Sequence, residues 1–492
     1  MNPTRFLLTL LWCVSFFMSF SQDTFEFLAG KTKEALQGST NNWNSFVNIN
    51  PENSLAAISF SDRDSAYYFL VDSSFSIKSN YSIPKSSIIN NYYNGTFNIV
   101  LQKQSGNVFT NFLQKPNLSI VYIEEENFDL DTSIFKQFLD FSGREKFITG
   151  FNKRDHSYLL TLIRGTNKLR LYEDDNTTPK EVTVPVPEFA TDINLENALK
   201  DILVVSSNTE IDLNTAKRKA KLYTDNSSKI YITLDELYKY TLLLTIDLEQ
   251  NTSKSDIFFK TNYYCNQVDR PEIIQHNSFL FKDRLVQAVL CPQHFLLQIK
   301  NIEKDSALIS FHAQRDSAIS FASSGIIKSD ENTITRRSLF GTRKENTTTA
   351  KKDLTSKDFF KAVNMHDFSF LIAESQGYVV VKIGESHSLF RTTGGSMDYM
   401  GGPPGSPGSM PVYHPGHTSR ADQIETYFKT VMKSLDTTEI LDEDIDTKFD
   451  KIDDFEFDIK DDSAAGTAFD FNNKTYYFYW SKSMEKFLIA TL

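Results

Sequence analysis

A hairpin-like unit recurs along most of the chain, and this repeat constrains the fold more than any other feature of the sequence. Each copy joins two short runs of β-branched and aromatic residues through a polar turn, as in "AAISFSDRDSAYYFLVD" (56–72) and "KFITGFNKRDHSYLLTLI" (146–163). Looser copies are "SFLFKDRLVQAVL" (278–290), "LISFHAQRDSAISF" (308–321) and "TAFDFNNKTYYFYW" (467–480). Short alternating runs bounded by turn residues are typical of β-strands, so the sequence predicts an all-β chain.

Further hairpin-like units fill the gaps between these copies: "GTFNIVLQKQSGNVFTNFL" (95–113), "SKIYITLDELYKYTLLLTIDL" (228–248) and "HDFSFLIAESQGYVVVKIG" (366–384). Their turn centres fall near residues 64, 105, 155, 236, 283, 376 and 473. Where units lie close together they are about 40–50 residues apart, which is the length of a propeller blade. Over residues 55–492 the chain thus resembles a β-propeller of about seven blades, of the broad WD40/kelch type. Two β-sandwich domains are the alternative, because any all-β chain shows regular hairpins.

The N-terminal residues 1–21 have the layout of a secretory signal peptide. Arg5 precedes an apolar run, and the small residues Ser19 and Ser21 predict cleavage after position 21. No later run of about 18 apolar residues predicts a membrane span. We therefore expect an exported mature protein, periplasmic, secreted or at the cell surface, with residues 22–54 forming a lead-in that contains a short helix.

The negative charge of the protein is concentrated in one segment. The chain has 52 basic and 63 acidic residues, a net charge of −11, and residues 436–462 alone hold 13 acids and three lysines. The remainder is close to neutral, so a nucleic-acid partner is not predicted. Asp442, Asp444 and Asp446 alternate as in a calcium-binding loop, but Thr447 replaces the required glycine, which favours a solvated acidic loop or edge strand.

Residues 391–465 are predicted to form an insertion that consists of a Gly/Pro tether, an amphipathic helix and the acidic segment. One face of the helix would either pack on the propeller or bind a protein partner; it carries Ile424, Tyr427, Phe428, Val431, Met432 and Leu435. The tether contains soft and borderline metal ligands that would suit copper: Met397, Met400, Met410, His414 and His417. Its composition favours a linker, and no cofactor is predicted.

Cys265 and Cys291 both lie next to predicted strands. In an oxidising compartment they would form either one disulfide or two buried thiols, since the sequence does not give their separation.

The composition and the "SFSQ" signal end resemble exported proteins of the Bacteroidota. In that group, Asp-Ser/Thr followed by a small or aliphatic residue is an O-glycosylation pattern. This resemblance implies candidate sites at Ser65, Ser306, Ser317, Thr437 and Ser463.

Catalytic motifs do not stand out in the sequence. We find no nucleophile elbow, phosphate loop, zinc-ligand spacing or dinucleotide fingerprint, and the acids of the repeated turns lie beside arginines that would fix those turns. No catalytic residue is predicted, and binding is favoured over catalysis. The sequence predicts a binding or scaffolding module of the cell envelope that acts through protein–protein contacts. A glycan-binding protein or hydrolase with a site at the mouth of the central channel is the alternative.

Overall fold

Nearly all the regular structure is β-strand. The structure is a computed structural model that describes residues 22–25, 44–50, 55–61, 65–84, 98–105, 108–114, 120–127, 132–141, 143–153, 156–174, 176–185, 194–206, 211–224, 228–235, 239–260, 265, 274–304, 306–338, 341–393, 396–400, 410–414, 417–459, 462–471, 474–481, 483–484 and 486–492. The predicted signal peptide lies outside the described residues. Within them, no helix is both long and apolar enough to cross a membrane.

The described residues of the first half of the chain form eighteen strands and two short helices. They are β1 (Gln22–Phe25), β2 (Asn44–Asn50), β3 (Leu55–Ser61), β4 (Ser65–Asp72), β5 (Ile77–Pro84), β6 (Asn98–Ser105), β7 (Val108–Gln114), β8 (Ile120–Asn127), β9 (Thr132–Asp140), β10 (Glu145–Lys153), β11 (His156–Ile163), β12 (Lys168–Glu173), β13 (Asn176–Thr183), α1 (Leu195–Ala198), β14 (Leu203–Val205), α2 (Leu213–Ala216), β15 (Ala220–Tyr223), β16 (Lys229–Leu234), β17 (Tyr240–Asp247) and β18 (Thr252–Phe259).

The described residues of the second half form fifteen strands and two longer helices. They are β19 (Gln275–Phe281), β20 (Arg284–Cys291), β21 (His294–Asn301), β22 (Ser306–Gln314), β23 (Ile326–Ser338), β24 (Gly341–Leu354), α3 (Ser356–Met365), β25 (Phe368–Ser375), β26 (Tyr378–Thr393), β27 (Ser396–Met400), β28 (Met410–His414), β29 (His417–Met432), β30 (Ile440–Leu441), α4 (Lys448–Ile459), β31 (Ser463–Phe471), β32 (Lys474–Ser481) and β33 (Lys486–Thr491).

The strands of the described residues form seven sheets of four or more strands, which we number I to VII along the chain. Sheets I, II, III and V are simple meanders of sequential strands: β2 to β5, β6 to β9, β10 to β13 and β19 to β22. Sheet IV follows the order β14-β15-β16-β17-β18, and sheet VI the order β24-β23-β29-β26-β25. Sheet VII combines the two ends of the chain in the order β31-β32-β33-β1.

Edge strands of successive sheets contact one another, as the innermost strands of a propeller do. β31 contacts β2, β2 contacts β6, β6 contacts β10, and β19 contacts β25. Each of the seven predicted turn centres falls at the junction of two consecutive strands, and each junction belongs to a different sheet. The chain is therefore an all-β protein with a β-propeller fold, as the repeat predicted.

Alternating apolar side chains build the core between sheets. The largest cluster of buried apolar residues draws on sheets IV to VII, and a second joins sheets III and IV. A third joins sheets I and VII, and contains Phe69, Phe478 and Phe487. Packing between sheets rather than within them holds the fold together, because a single twisted sheet leaves both of its apolar faces uncovered.

One expectation for local structure is wrong, and another is not tested. In the lead-in, residues 22–25 form strand β1, which pairs with β33 from Gln22 opposite Ala490 to Phe25 opposite Phe487, whereas residues 26–43, where the short helix was expected, lie outside the described residues. The unit at 308–321 was expected to be a hairpin, but β22 ends at Gln314 and the chain then turns without a returning strand.

Candidate functional site

Sheet VI departs from the other sheets because four of its strands are unusually long. β23, β24, β26 and β29 have 13, 14, 16 and 16 residues, whereas no other strand in the described parts of the chain has more than nine. The pairing of β25 with β26 stops at Phe368 opposite Glu385, and β26 then continues through residues 386–393 beside β29. At about 3.3 Å per residue this adds roughly 26 Å of sheet. We call this extension, residues 329–338, 341–352, 386–393 and 417–425, the arm.

The register of the arm brings together cations from four strands. Arg336 lies opposite Arg343, and Arg391 lies opposite Arg420. The outer part of the arm also contains Arg337 and Lys344, with Glu345 as an acidic neighbour. Like charges directly opposite each other destabilise a sheet, by about 0.2–1 kcal/mol per pair. The stability of the sheet therefore does not account for these cations. We call them the basic tip: Arg336, Arg337, Arg343, Lys344, Arg391 and Arg420.

Two histidines and a glutamate meet where the arm leaves the propeller. His366 follows α3 and precedes β25, while Glu385 and His387 occupy alternate positions on β26 and therefore share a face. The potential ligand atoms of the three side chains all lie within 4.8 Å of one another. His387 Nδ1 is 2.7 Å from Glu385 Oε2, and the two imidazole rings stack with their centroids 3.5 Å apart. Burial, together with the neighbouring His387, lowers the pKa of His366.

A glycine lets the two strands beside this cluster approach each other closely. Gly384 lies opposite Tyr427 of β29, and a Cβ at position 384 would be 2.1 Å from the carbonyl oxygen of Thr426. Any other residue would push β29 away and displace Glu385, the next residue on β26.

One buried lysine pairs with three carboxylates of the acidic segment. Lys429 Nζ on β29 lies 2.9 Å from Asp444, 3.0 Å from Asp446 and 3.3 Å from Asp450. Burial would lower the pKa of Lys429, but Asp450 and the other two carboxylates outweigh it and raise that pKa. The ammonium group takes the role that a calcium ion would have in the predicted loop, and residues 442–447 form what we call the acidic loop.

The acidic segment continues into a capped helix. Thr447 is buried immediately before α4, and its hydroxyl and backbone amide both donate to Asp450 Oδ2, at 2.8 and 2.9 Å. The Asp450 amide donates back to the Thr447 hydroxyl at 3.2 Å, which completes a capping box. Thr447, which breaks the calcium-loop pattern, therefore starts a helix.

A fully buried polar network lies between sheets IV and V. Lys260 Nζ is 2.5 Å from Asp235 Oδ1, and both side chains are 0% exposed. Asp235 also accepts hydrogen bonds from Thr241 at 2.8 Å and from Ser278 at 2.5 Å. Burial by itself would raise the pKa of Asp235, but Lys260 and the other nearby cations outweigh burial and lower it.

A second lysine of this region lies beside the innermost strand of sheet V. Lys221 Nζ donates to Asn277 Oδ1 and to the Arg218 carbonyl, each at 2.7 Å. Burial lowers the pKa of Lys221 to about 7. The Asn277 amide donates in turn to the Ala216 carbonyl of α2, which thereby packs against the inner face of the sheets.

The prediction of a helix for partner binding is wrong, because most of that segment forms strand β29. Tyr427, Phe428, Val431, Met432 and Leu435 are buried in the protein's own core, and Ile424 is half-buried. These residues therefore do not offer a free apolar face to a partner.

The glycine- and proline-rich tether is partly β-structure. β27 and β28 pair as a hairpin, with Met400 opposite Met410, Met397 opposite Tyr413 and Ser396 opposite His414. His417 is the first residue of β29. The register places only two of the five candidate copper ligands directly opposite each other.

The two cysteines form a disulfide, with their Cα atoms 5.9 Å apart. They lie in a small buried apolar cluster with Ile274 and Val289.

The candidate glycosylation residues are spread over strands, turns and loops of the described residues. Ser317 is exposed in the turn after β22, and Thr437 and Ser463 are half-buried. Ser65 begins β4 and Ser306 begins β22. Modification of any of them stays a prediction.

Comparison with known proteins finds structural similarity but no family. No protein-family model and no curated protein matches the chain. Among solved structures, the chain is similar to the β-propeller domain of Nup133 from Vanderwaltozyma polyspora (8% identity, 91% of this chain, 100% of that chain, TM-score 0.31). It is also similar to the β-propeller domain of the Trilobed protease from Pyrococcus furiosus (11%, 81%, 94%, 0.27) and to dihydro-heme d1 dehydrogenase NirN (7%, 64%, 50%, 0.26). The chain therefore spans half the length of the dehydrogenase, and the assignment of the fold rests on the strand order above.

Sequence reasoning missed both the arm and the histidine–glutamate cluster. Glu385 and His387 are two residues apart and directly follow the predicted hairpin unit at 366–384; if that strand had been extended, they would have been expected to share a face. His366 is near them only because Phe368 pairs with Glu385, and a single sequence does not give that register.

Proposed function

We propose that the protein is an exported propeller of about seven blades that serves as a binding or scaffolding module of the cell envelope. It contacts an acidic segment of a protein partner through the basic tip of the arm. The observation that carries this proposal is the register of sheet VI, which gathers six cations from four strands on an extension of the fold. All six positions lie beyond Glu385, where the pairing of β25 with β26 ends.

Three further features support the proposal. A disulfide between Cys265 and Cys291 suits an oxidising compartment, as the N-terminal signal pattern also does. The edge strand β24 has no neighbour on its outer side among the described strands, so an extended peptide could pair with it. The net charge of −11 resides mainly elsewhere, so the positive tip would orient an acidic partner toward the arm.

The test is cross-linking and affinity purification of the tagged protein from its native envelope. In the tip variant, Arg336, Arg343, Arg391 and Arg420 are all replaced by serine. The matched control replaces four exposed cations of other sheets by serine: Arg164, Lys200, Lys254 and Lys304.

We expect one recurrent partner, cross-linked through Lys344, Lys351 or Lys352, to be recovered with the native protein and with the control. The tip variant should lose it, and recovery from the native protein should fall as salt increases. The proposal is wrong if nothing co-purifies, or if the tip variant retains the partner as well as the control does.

A further inference from the structure

Glu385 differs from the other buried carboxylates that contact cations. Asp235 faces Lys260, Glu145 faces Arg170, and Asp450 faces Lys382 and Lys429. Glu385 is 0% exposed, and in the described part of the chain its ion-pair partner is a histidine, His387.

One oxygen of this carboxylate lacks a hydrogen-bond partner altogether. Oε2 contacts His387, whereas Oε1 is buried and accepts no hydrogen bond. Leaving a buried polar atom unsatisfied costs about 1–3 kcal/mol, and more when the group is charged. A cation placed among the three side chains would satisfy both oxygens.

The donor set indicates which cation fits. Two imidazole nitrogens and one carboxylate oxygen are typical ligands of zinc, whereas calcium and magnesium prefer oxygen ligands alone. Zinc sites with three protein ligands leave a fourth position for water or for a group from another molecule. His366 and His387 are only half-buried, so this fourth position would be open to solvent.

Two other histidine clusters differ from the His366–Glu385–His387 cluster in the carboxylates near them. His294 and His312 are also stacked, with Nδ1 and Nε2 3.1 Å apart, but among the described residues they do not belong to a group of three metal ligands. His156 lies 3.0 Å from Glu173, but that carboxylate also pairs with Lys180 at 3.3 Å.

We propose that His366, Glu385 and His387 form a zinc-binding site that joins the propeller to the base of the arm. His366 is supplied by the segment between α3 and β25, and the other two ligands by β26 where it passes β25. Binding would therefore fix the arm relative to the body of sheet VI. The proposal is independent of any partner for the basic tip.

The experiment uses the untagged full-length protein, stripped of metal with a chelator and then titrated with zinc chloride in a calorimeter. We expect saturation at one equivalent. Cobalt(II) added in place of zinc should give the intense visible absorption typical of four-coordinate sites, and zinc should abolish that absorption.

Three variants separate this site from adventitious binding. Glu385→Gln, which keeps the side-chain shape, and His387→Asn should each weaken zinc binding by about a hundredfold or more. His312→Ala, which breaks the histidine pair without a carboxylate, should retain one equivalent with unchanged affinity.

Zinc should also raise the melting temperature of the native protein, by mass action, and this readout does not depend on any variant folding. The inference is overturned if the native protein shows no saturable binding. It is also overturned if His387→Asn keeps the site or if His312→Ala removes it.

Discussion

Replacing Lys260 by methionine should destabilise the protein by about 3–5 kcal/mol at pH 7, because it leaves the carboxylate of Asp235 buried without its cation. Both side chains are fully buried and lie 2.5 Å apart. Methionine has nearly the same volume as lysine, so the cavity contribution should be small. The hydrogen bonds from Thr241 and Ser278 remain and cannot replace the lost charge.

Protonation limits this cost. An ionised Asp235 without Lys260 could instead take up a proton, and holding a carboxyl of ordinary pKa near 3.9 neutral at pH 7 costs about 4 kcal/mol, at 1.36 kcal/mol per pH unit. The penalty should therefore shrink as the pH is lowered toward 4, where about half of the unfolded carboxyl is also protonated.

The assay is urea unfolding followed by circular dichroism at pH 7 and pH 4.5. The matched variant adds Asp235→Asn to Lys260→Met, which removes both charges and should recover the stability to within about 1 kcal/mol of the native value. A loss below about 1 kcal/mol in the single variant, an equal loss in the double variant, or a penalty independent of pH would refute the reasoning.

Three further predictions concern buried groups of other elements. Burial and the neighbouring lysines hold the pKa of His276 at about 2, so the unfolded state binds an extra proton below about pH 6.5 and stability should fall as the pH drops from there. His276→Gln should flatten that fall in thermal melts between pH 6.5 and 4.5; an unchanged profile would contradict it. Replacing both Cys265 and Cys291 by alanine opens a loop with a sequence separation of 26, so the unfolding free energy should drop by about 3–4 kcal/mol, as measured by urea unfolding. Lys429→Met should remove hydrogen-exchange protection from the acidic loop, whereas the exposed Lys433→Met should not, and equal exchange in the two variants would argue against the ion pairs.

The seven hairpin centres could be read from the sequence because each hairpin is local. A turn flanked by alternating apolar residues needs no knowledge of distant contacts, and every centre lies within a separate sheet. By contrast, β1 pairs with β33 from the far end of the chain. Nothing in the local pattern of residues 22–25 indicates that partner.

The segment 417–432 was mistaken for a helix for a physical reason. Every residue from Thr426 to Met432 is buried, because both faces of β29 are covered. In a strand that is buried on both faces, apolar and polar residues no longer alternate. The polar residues within it can then fall at the spacing of the polar positions of an amphipathic helix. Thr430, for example, donates its hydroxyl to the Phe321 carbonyl at 2.8 Å, and this contact was invisible in the sequence.

The pairing of β1 with β33 also has consequences for how the chain folds. Sheets I to VI can each assemble from contiguous sequence, but sheet VII must wait until strands from both ends are available. Bringing such distant segments together costs about 5 kcal/mol of chain entropy, and contacts between them are slow to form. During synthesis the earlier sheets would therefore assemble on an open ring, and its two exposed strand edges would be open to pairing with other chains until β1 docks on β33.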